Sequence, residues 1–152
     1  MIVYRIARTK YANDLSGEGA RLNGGRWNHK LTPCIYTSES RALALLEYTV
    51  NVNIDDIPRA LSFAIIEVPD DNILSVTVEG LPGNWTESPA PASTKNYGTG
   101  LLKKGEYAVI KIPSAVIPFE YNYLLNPLHK DSTKFKILDV HDFVYDVRIK
   151  KT

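Results

Sequence analysis

The chain of 152 residues has little cysteine, little histidine and no surplus of charge of either sign. Its single cysteine, Cys34, cannot close an intramolecular disulfide, whereas small secreted domains commonly rely on several. The three histidines, His29, His129 and His141, are scattered, and with Cys34 they give no metal-ligand spacing. No metal is therefore expected. Lys and Arg number 18 against 17 Asp and Glu, a formal net charge of +1. That balance excludes the strongly basic footprint of a dedicated nucleic-acid binder and favours a small-molecule or protein partner. No apolar run approaches the ~20 residues that cross a bilayer. The segment Met1-Ile2-Val3-Tyr4-Arg5 reads as the start of a strand, without the basic head and apolar stretch of a signal peptide. A soluble cytoplasmic protein with no membrane contact is the expectation. Walker spacing, a dinucleotide fingerprint and a Gly-x-Ser-x-Gly elbow are all missing.

Hydrophobic residues make up 44% of the chain and charged residues 23%, a globular composition. Short apolar runs predict strands over Ile2–Ile6, Cys34–Tyr36, Leu61–Val68, Ile73–Val78, Tyr107–Ile112, Phe135–Val140 and Phe143–Ile149. Ala and Leu over Arg41–Val50 predict a helix, with Ser38 as N-cap and Glu39 in its first turn. A second helical piece is expected near Asn96–Lys103, weakened by Gly98 and Gly100. Leu81–Ser93, with Pro82, Gly83, Pro89 and Pro91, reads as a loop. Neither a repeat nor an interdomain linker is present, so residues 1–152 read as one α+β domain.

Several residues carry candidate chemistry, and each has a plainer alternative. The run Gly17 to Asn28 holds four glycines, so its backbone could approach a ligand through Gly24 and Gly25. Arg26 adds a planar fork suited to phosphate or carboxylate. The alternative is a glycine-rich surface turn with a structural arginine. Glu47 shares a helix face with Leu43, Leu46 and Val50, where a carboxylate is costly unless paired or functional. The alternative is a face-edge position or a structural ion pair. Arg5 either guards a sheet edge or projects into a cleft. Tyr36, just ahead of the Glu47 helix, is either a core tyrosine or a site residue beside Glu47. Ser114 leaves a strand after Pro113, as a turn cap or a site residue.

As an ordered set, these residues resemble the RES-domain family, named for an Arg, a Glu and a Ser. The matching positions are Arg26 in Gly24-Gly25-Arg26-Trp27-Asn28, Glu47 in Leu43-Ala44-Leu45-Leu46-Glu47, and Ser114 in Pro113-Ser114-Ala115-Val116. Tyr4-Arg5, Ile35-Tyr36 with Ser38, Asn122, Leu124-Leu125-Asn126-Pro127 and His129 extend the likeness from Tyr4 to about Asp142. The chain departs from the family pattern after Gly98, where Thr99-Gly100-Leu101 replace an acidic residue and a Trp, and at Lys130, where a Pro is usual.

The resemblance implies an ADP-ribosyltransferase-like split β-sandwich with flanking helices and a cleft for NAD⁺ as substrate, without a further cofactor. It implies a cytoplasmic toxin of a type II toxin–antitoxin system, neutralised by an antitoxin with an Xre-type helix-turn-helix domain. DNA would be met only through that antitoxin, and a homodimer within the complex is a family expectation. Glu47 would stabilise positive charge on the ribose, with Arg26 and Ser114 completing the catalytic set. Arg5, Arg26, Gly24 and Gly25 would hold the pyrophosphate, Tyr36 would stack on nicotinamide, and Ser114 would bind Glu47 or the ligand. Cleavage of the nicotinamide–ribose bond, depleting NAD⁺, is the first reading. Mono-ADP-ribosylation of a protein and a non-catalytic partner-binding module are the alternatives. An RNA-cleaving toxin is disfavoured by the near-neutral charge and the scattered histidines.

Overall fold

In the computed structural model, which describes residues 1–150, seven strands form one mixed sheet in the order β4-β5-β6-β2-β1-β3-β7. They are β1 (Ile2–Arg8), β2 (Ile35–Ser38), β3 (Leu61–Glu67), β4 (Ile73–Ser75), β5 (Val109–Pro113), β6 (Tyr121–Leu125) and β7 (Lys136–Phe143). Three α-helices accompany them: α1 (Glu18–Asn23), α2 (Arg41–Asn51) and α3 (Ala92–Lys104).

The sheet is split where its two halves join. β1 pairs with β3 through seven residue pairs, from Ile2↔Glu67 to Arg8↔Leu61, but with β2 only through Tyr4↔Ser38. The split sandwich that the family resemblance implies thus takes the form of one continuous sheet that parts at this seam.

Period-2 alternation sorts the strand residues into layers. Val3, Ile35, Ala64, Ile66, Val109, Tyr123 and Leu125 share one buried face drawn from both halves. On the opposite face of β5 and β6, Ile110, Ile112 and Leu124 meet Leu102 of α3 together with Trp27 and Trp85. On the opposite face of β1 and β3, Ile2, Tyr4, Ile6, Phe63 and Ile65 meet Ala44 and Leu45 of α2. β3 is buried from Leu61 to Ile66 because it feeds two layers.

Some expectations are corrected. Ser38 lies in β2; the N-cap of α2 is Ser40, whose hydroxyl accepts from the Leu43 amide at 3.0 Å. β6 and α1 were not expected, and α3 begins at Ala92, inside the predicted Leu81–Ser93 loop. β4 stops at Ser75, before the predicted Val78. The predicted strand Phe143–Ile149 is absent: β7 runs unbroken to Phe143, and turns follow. Tyr145 then buries against α2, its hydroxyl 2.9 Å from Thr49 Oγ1, and Lys150 Nζ donates to the carbonyls of Thr49 and Val52. A lysine at the last carbonyls of α2 complements the helix dipole, which a strand there could not do.

Candidate active site

A cleft of about 900 Å³ opens at the seam. Tyr4, Arg5 and Ile6 of β1 face it from one half, and Tyr36, Thr37 and Ser38 of β2 from the other. Glu47 of α2, Asn122 of β6 and the turn Gly24–Trp27 are among the other residues that line it.

Glu47 sits at the edge of the apolar stripe of α2. Leu43 is buried on that stripe, while Val50, expected on the same face, is 50% exposed. The carboxylate is gripped through one oxygen only. Oε1 accepts from Ser114 Oγ at 2.6 Å and from Asn122 Nδ2 at 2.8 Å. Each donor is fixed in turn. Ser114 Oγ accepts from the amides of Val116 and Ile117 at 3.1 and 3.0 Å, so its proton is directed at Glu47. Asn122 Oδ1 accepts from Ser38 Oγ at 2.7 Å, which orients the amide and turns Nδ2 to the carboxylate. Among the described residues no protein donor reaches Oε2, and Glu47 lines the cleft.

The arginines are held by main-chain carbonyls instead. Arg26 Nη1 donates to Trp85 O at 3.0 Å and Glu87 O at 2.7 Å, leaving Nε and Nη2 without a protein partner among the described residues. Arg5 Nη1 donates to Asp14 O at 2.7 Å, and Nη2 to Ala12 O at 2.7 Å and Tyr11 O at 3.4 Å. Burial lowers the pKa of its guanidinium from the ordinary value, and Asp14 opposes the shift. The group remains a cation, because arginine does not deprotonate in proteins. Arg5 Nε is buried without a partner, an unusual debt for so polar a group.

The glycine-rich turn has an internal logic. Gly24 adopts φ +71°, the left-handed region that favours glycine. A Cβ on Gly25 would stand 2.6 Å from the Tyr36 hydroxyl. Gly25 is therefore small to admit Tyr36, a packing reason for this glycine beside the expected approach to a ligand. The Tyr36 hydroxyl accepts from the Trp27 amide at 3.0 Å and donates to Asn28 Oδ1 at 2.6 Å. Burial, above all, raises the pKa of this phenol well above its ordinary value. Asn28 is fully buried and spends Nδ2 on the carbonyls of Ala20 and Thr32 at 2.8 and 2.9 Å. Helix α3 clamps the same turn. Gly98 brings it so close that a Cβ would fall 2.0 Å from Trp27 O, and Thr99 Oγ1 accepts from the His29 amide at 2.9 Å.

The structure thus brings Glu47, Arg26, Arg5, Gly24, Gly25 and Tyr36 to one cleft. Ser114 stands behind Glu47, 0% exposed, and does not face the cavity. Sequence reasoning did not assign a site role to Asn122 or Ser38. Their only signal was membership in the ordered set of resemblances. Among the described residues, no cluster of three or more His, Cys, Asp or Glu could hold a metal ion, and no helix is long and apolar enough to cross a membrane.

Known proteins share this architecture and sequence. The RES domain family matches residues 2–146. A protein of Sphingobium sp. (strain YBL2) named Prs ADP-ribosylating toxin is 38% identical over 146 residues, covering 94% of this chain and 91% of the relative. A protein named Toxin Res from Yersinia enterocolitica is 37% identical over 152 residues, covering 99% of this chain and all of the relative. A chain in the crystal structure of the M. tuberculosis MbcT–MbcA toxin–antitoxin complex shares the fold with a TM-score of 0.75, over 94% of this chain and 84% of that one, at 20% identity. With a family match over residues 2–146 and relatives this similar along nearly their whole length, the chain belongs to the RES domain family.

Proposed function

We propose that this chain is the toxin of a toxin–antitoxin pair and that it cleaves the nicotinamide–ribose bond of NAD⁺. The observation that carries the chemistry is Glu47, whose Oε1 is fixed by Ser114 and Asn122 while Oε2 is left to the cleft. Breaking the bond sends its electron pair to nicotinamide, which departs as a neutral base and needs no general acid. Positive charge grows on the ribose, as in glycoside cleavage. A carboxylate held in place beforehand stabilises that charge without reorganising during the reaction. The same oxygen can accept from a ribose hydroxyl and orient the sugar. Water then bonds to the ribose carbon and loses a proton, giving ADP-ribose.

The remaining residues bind and position. Arg26 offers Nε and Nη2 to the pyrophosphate. Arg5 lines the cleft with both terminal nitrogens already donating to carbonyls, and its fixed positive charge attracts the pyrophosphate. Gly24 and Gly25 keep the adjoining wall low, and Tyr36 presents a ring on which nicotinamide stacks. Ser114 and Asn122 act through Glu47.

The relatives' names support the toxin reading. The partner is then a cognate antitoxin with an Xre-type helix-turn-helix domain, DNA being reached only through it. The setting is the cytoplasm, with a homodimer in the complex and no cofactor beyond the substrate. The Sphingobium relative's name favours a second reading, in which a protein nucleophile replaces water as the acceptor of ADP-ribose.

The test is to incubate purified protein with NAD⁺, with and without a cell lysate. Free nicotinamide with stoichiometric free ADP-ribose supports hydrolysis, and ADP-ribose attached to a lysate protein supports transfer. A folded protein that releases no nicotinamide under either condition overturns both. Expression without the antitoxin is expected to arrest growth as cellular NAD⁺ falls, and normal growth with unchanged NAD⁺ would count against the toxin reading.

A further inference from the structure

Beside the cleft lies a second hollow of about 380 Å³, lined by Asn23, Gly24, His29, Lys30 and Lys95. Asn23, Gly24 and Lys95 also line the cleft, so the two spaces adjoin. The smaller one is one-sided in charge. It holds two ammonium groups and an imidazole, and no carboxylate. Neither lysine makes a salt bridge among the described residues.

Lys95 is not a loosely held surface lysine. It stands on α3, which Gly98 and Thr99 lock against the Gly24–His29 turn. Its Nζ gives one N–H to Gly25 O at 2.7 Å, and Nζ is 3.6 Å from the point a Gly24 Cβ would occupy. Two N–H donors remain on an ammonium whose position is already set. Fixing a cation in advance lowers the ordering cost of binding an anion. Lys30 adds a second positive charge from the turn itself, and a concave wall of one sign concentrates the opposite charge.

We propose that this hollow is an anion subsite that binds a phosphate group of the dinucleotide substrate. The proposal rests on the reading of the cleft as an NAD⁺ site. The phosphate has two possible sources, the pyrophosphate itself or a 2′-phosphate on the adenosine ribose, which NADP⁺ carries and NAD⁺ lacks.

The experiment titrates the purified protein with ADP and with adenosine 2′,5′-bisphosphate by calorimetry, for wild type, Lys30→Gln, Lys95→Gln and Lys95→Arg. Gln at position 95 keeps a donor for Gly25 O and removes the charge, while Arg restores it. Each Gln variant is expected to bind about tenfold more weakly, with a shallower salt dependence, and Lys95→Arg to recover most of the loss. A loss confined to the bisphosphate assigns the 2′-phosphate, and an equal loss with ADP assigns the pyrophosphate. Unchanged affinity for both nucleotides overturns the subsite, even if melting temperature falls, because the lysines would then be structural. A wild-type protein that binds neither nucleotide overturns it too. Nucleotide binding that depends on these lysines, without nicotinamide release from NAD⁺, would sink the catalytic reading and leave the subsite standing. Normal nicotinamide release with affinities unmoved by the substitutions would do the reverse.

Discussion

Within the one cleft a carboxylate is held by side chains, and two guanidinium groups are held by the main chain. Glu47 owes its position to Ser114, Asn122 and, one step back, Ser38. Arg5 and Arg26 owe theirs to the carbonyls of Ala12, Asp14, Trp85 and Glu87. A side-chain support can be removed by one substitution, while a carbonyl support survives substitution of the residue that carries it. The anionic group can therefore be detuned in steps, whereas the cationic groups change chiefly when an arginine itself is replaced.

The largest effect is expected at Glu47. In Glu47→Gln the side-chain carbonyl can still accept from Ser114 and Asn122, but the charge is gone. Nicotinamide release should fall at least ~10²-fold with little change in NAD⁺ affinity, because the ribose charge grows only on the way to the transition state. The melting temperature should stay within about 3 °C of wild type. Release near the wild-type rate from a folded variant would remove Glu47 from the mechanism.

Next come the arginines. A hydrogen bond to a charged group contributes roughly 1.5–3 kcal/mol, so Arg26→Ala should weaken NAD⁺ binding about tenfold or more. Arg5→Ala should do the same and also lower the melting temperature, since carbonyls at Tyr11, Ala12 and Asp14 lose their donor. Arg26→Lys should recover only part of the loss, because lysine lacks the fork. Equal NAD⁺ affinity in both alanine variants and wild type would erase the contrast between the anionic and cationic groups.

The supports of Glu47 sharpen the comparison further. Ser114→Ala removes one donor to Oε1 and strands the amides of Val116 and Ile117. It should cost about 1–3 kcal/mol of stability as well as turnover. Asn122→Ala removes the other donor. It should reduce turnover several-fold while NAD⁺ affinity holds. Binding and turnover falling together in Asn122→Ala would place that residue on the ligand instead of behind Glu47.

The smallest effect is alkaline. Burial raises the pKa of the Cys34 thiol and of the Tyr36 phenol. The unfolded chain releases these protons near ~8.5 and ~10, while the folded chain keeps them. The folded state thus binds more protons, so stability is full below the unfolded values and declines as pH rises above ~8.5. Denaturation curves between pH 8 and 11 should show a shallower decline for Cys34→Ala and for Tyr36→Phe. Identical slopes in all three proteins would contradict the burial of these groups.

Much of this site was legible because its residues are local signals. A carboxylate beside the apolar stripe of α2, an arginine after two glycines and a serine after a strand-ending proline can each be seen in a short window. The contacts that join them cannot. Asn122 reaches Glu47 across 75 residues and Ser38 across 84, and no periodicity encodes such a meeting. Gly25 read as room for a ligand because the approach of the Tyr36 hydroxyl is tertiary. Among the elements, β1, β3 and α2 stood out through sustained patterning. β6 was passed over because Tyr121-Asn122-Tyr123 interrupts its apolar run, and α1 because glycines at 17 and 19 suggest a turn. The N-cap slipped by two residues because Ser38 and Ser40 are both good caps, and pairing of Ser38 with Asn122 in the sheet decides between them.

The one-pair seam between β1 and β2 bears on any effort to make this protein sturdier. Strand pairing is an obvious place to add stability, and here a central pair of strands stands almost unzipped. Yet the residues flanking that gap are the walls of the cleft. A substitution that lengthened the ladder would gain heat resistance by drawing the walls together. Directed evolution for thermostability alone should therefore select sealed, inert variants at the seam, and durable active ones should carry their changes on the β3–β7 side.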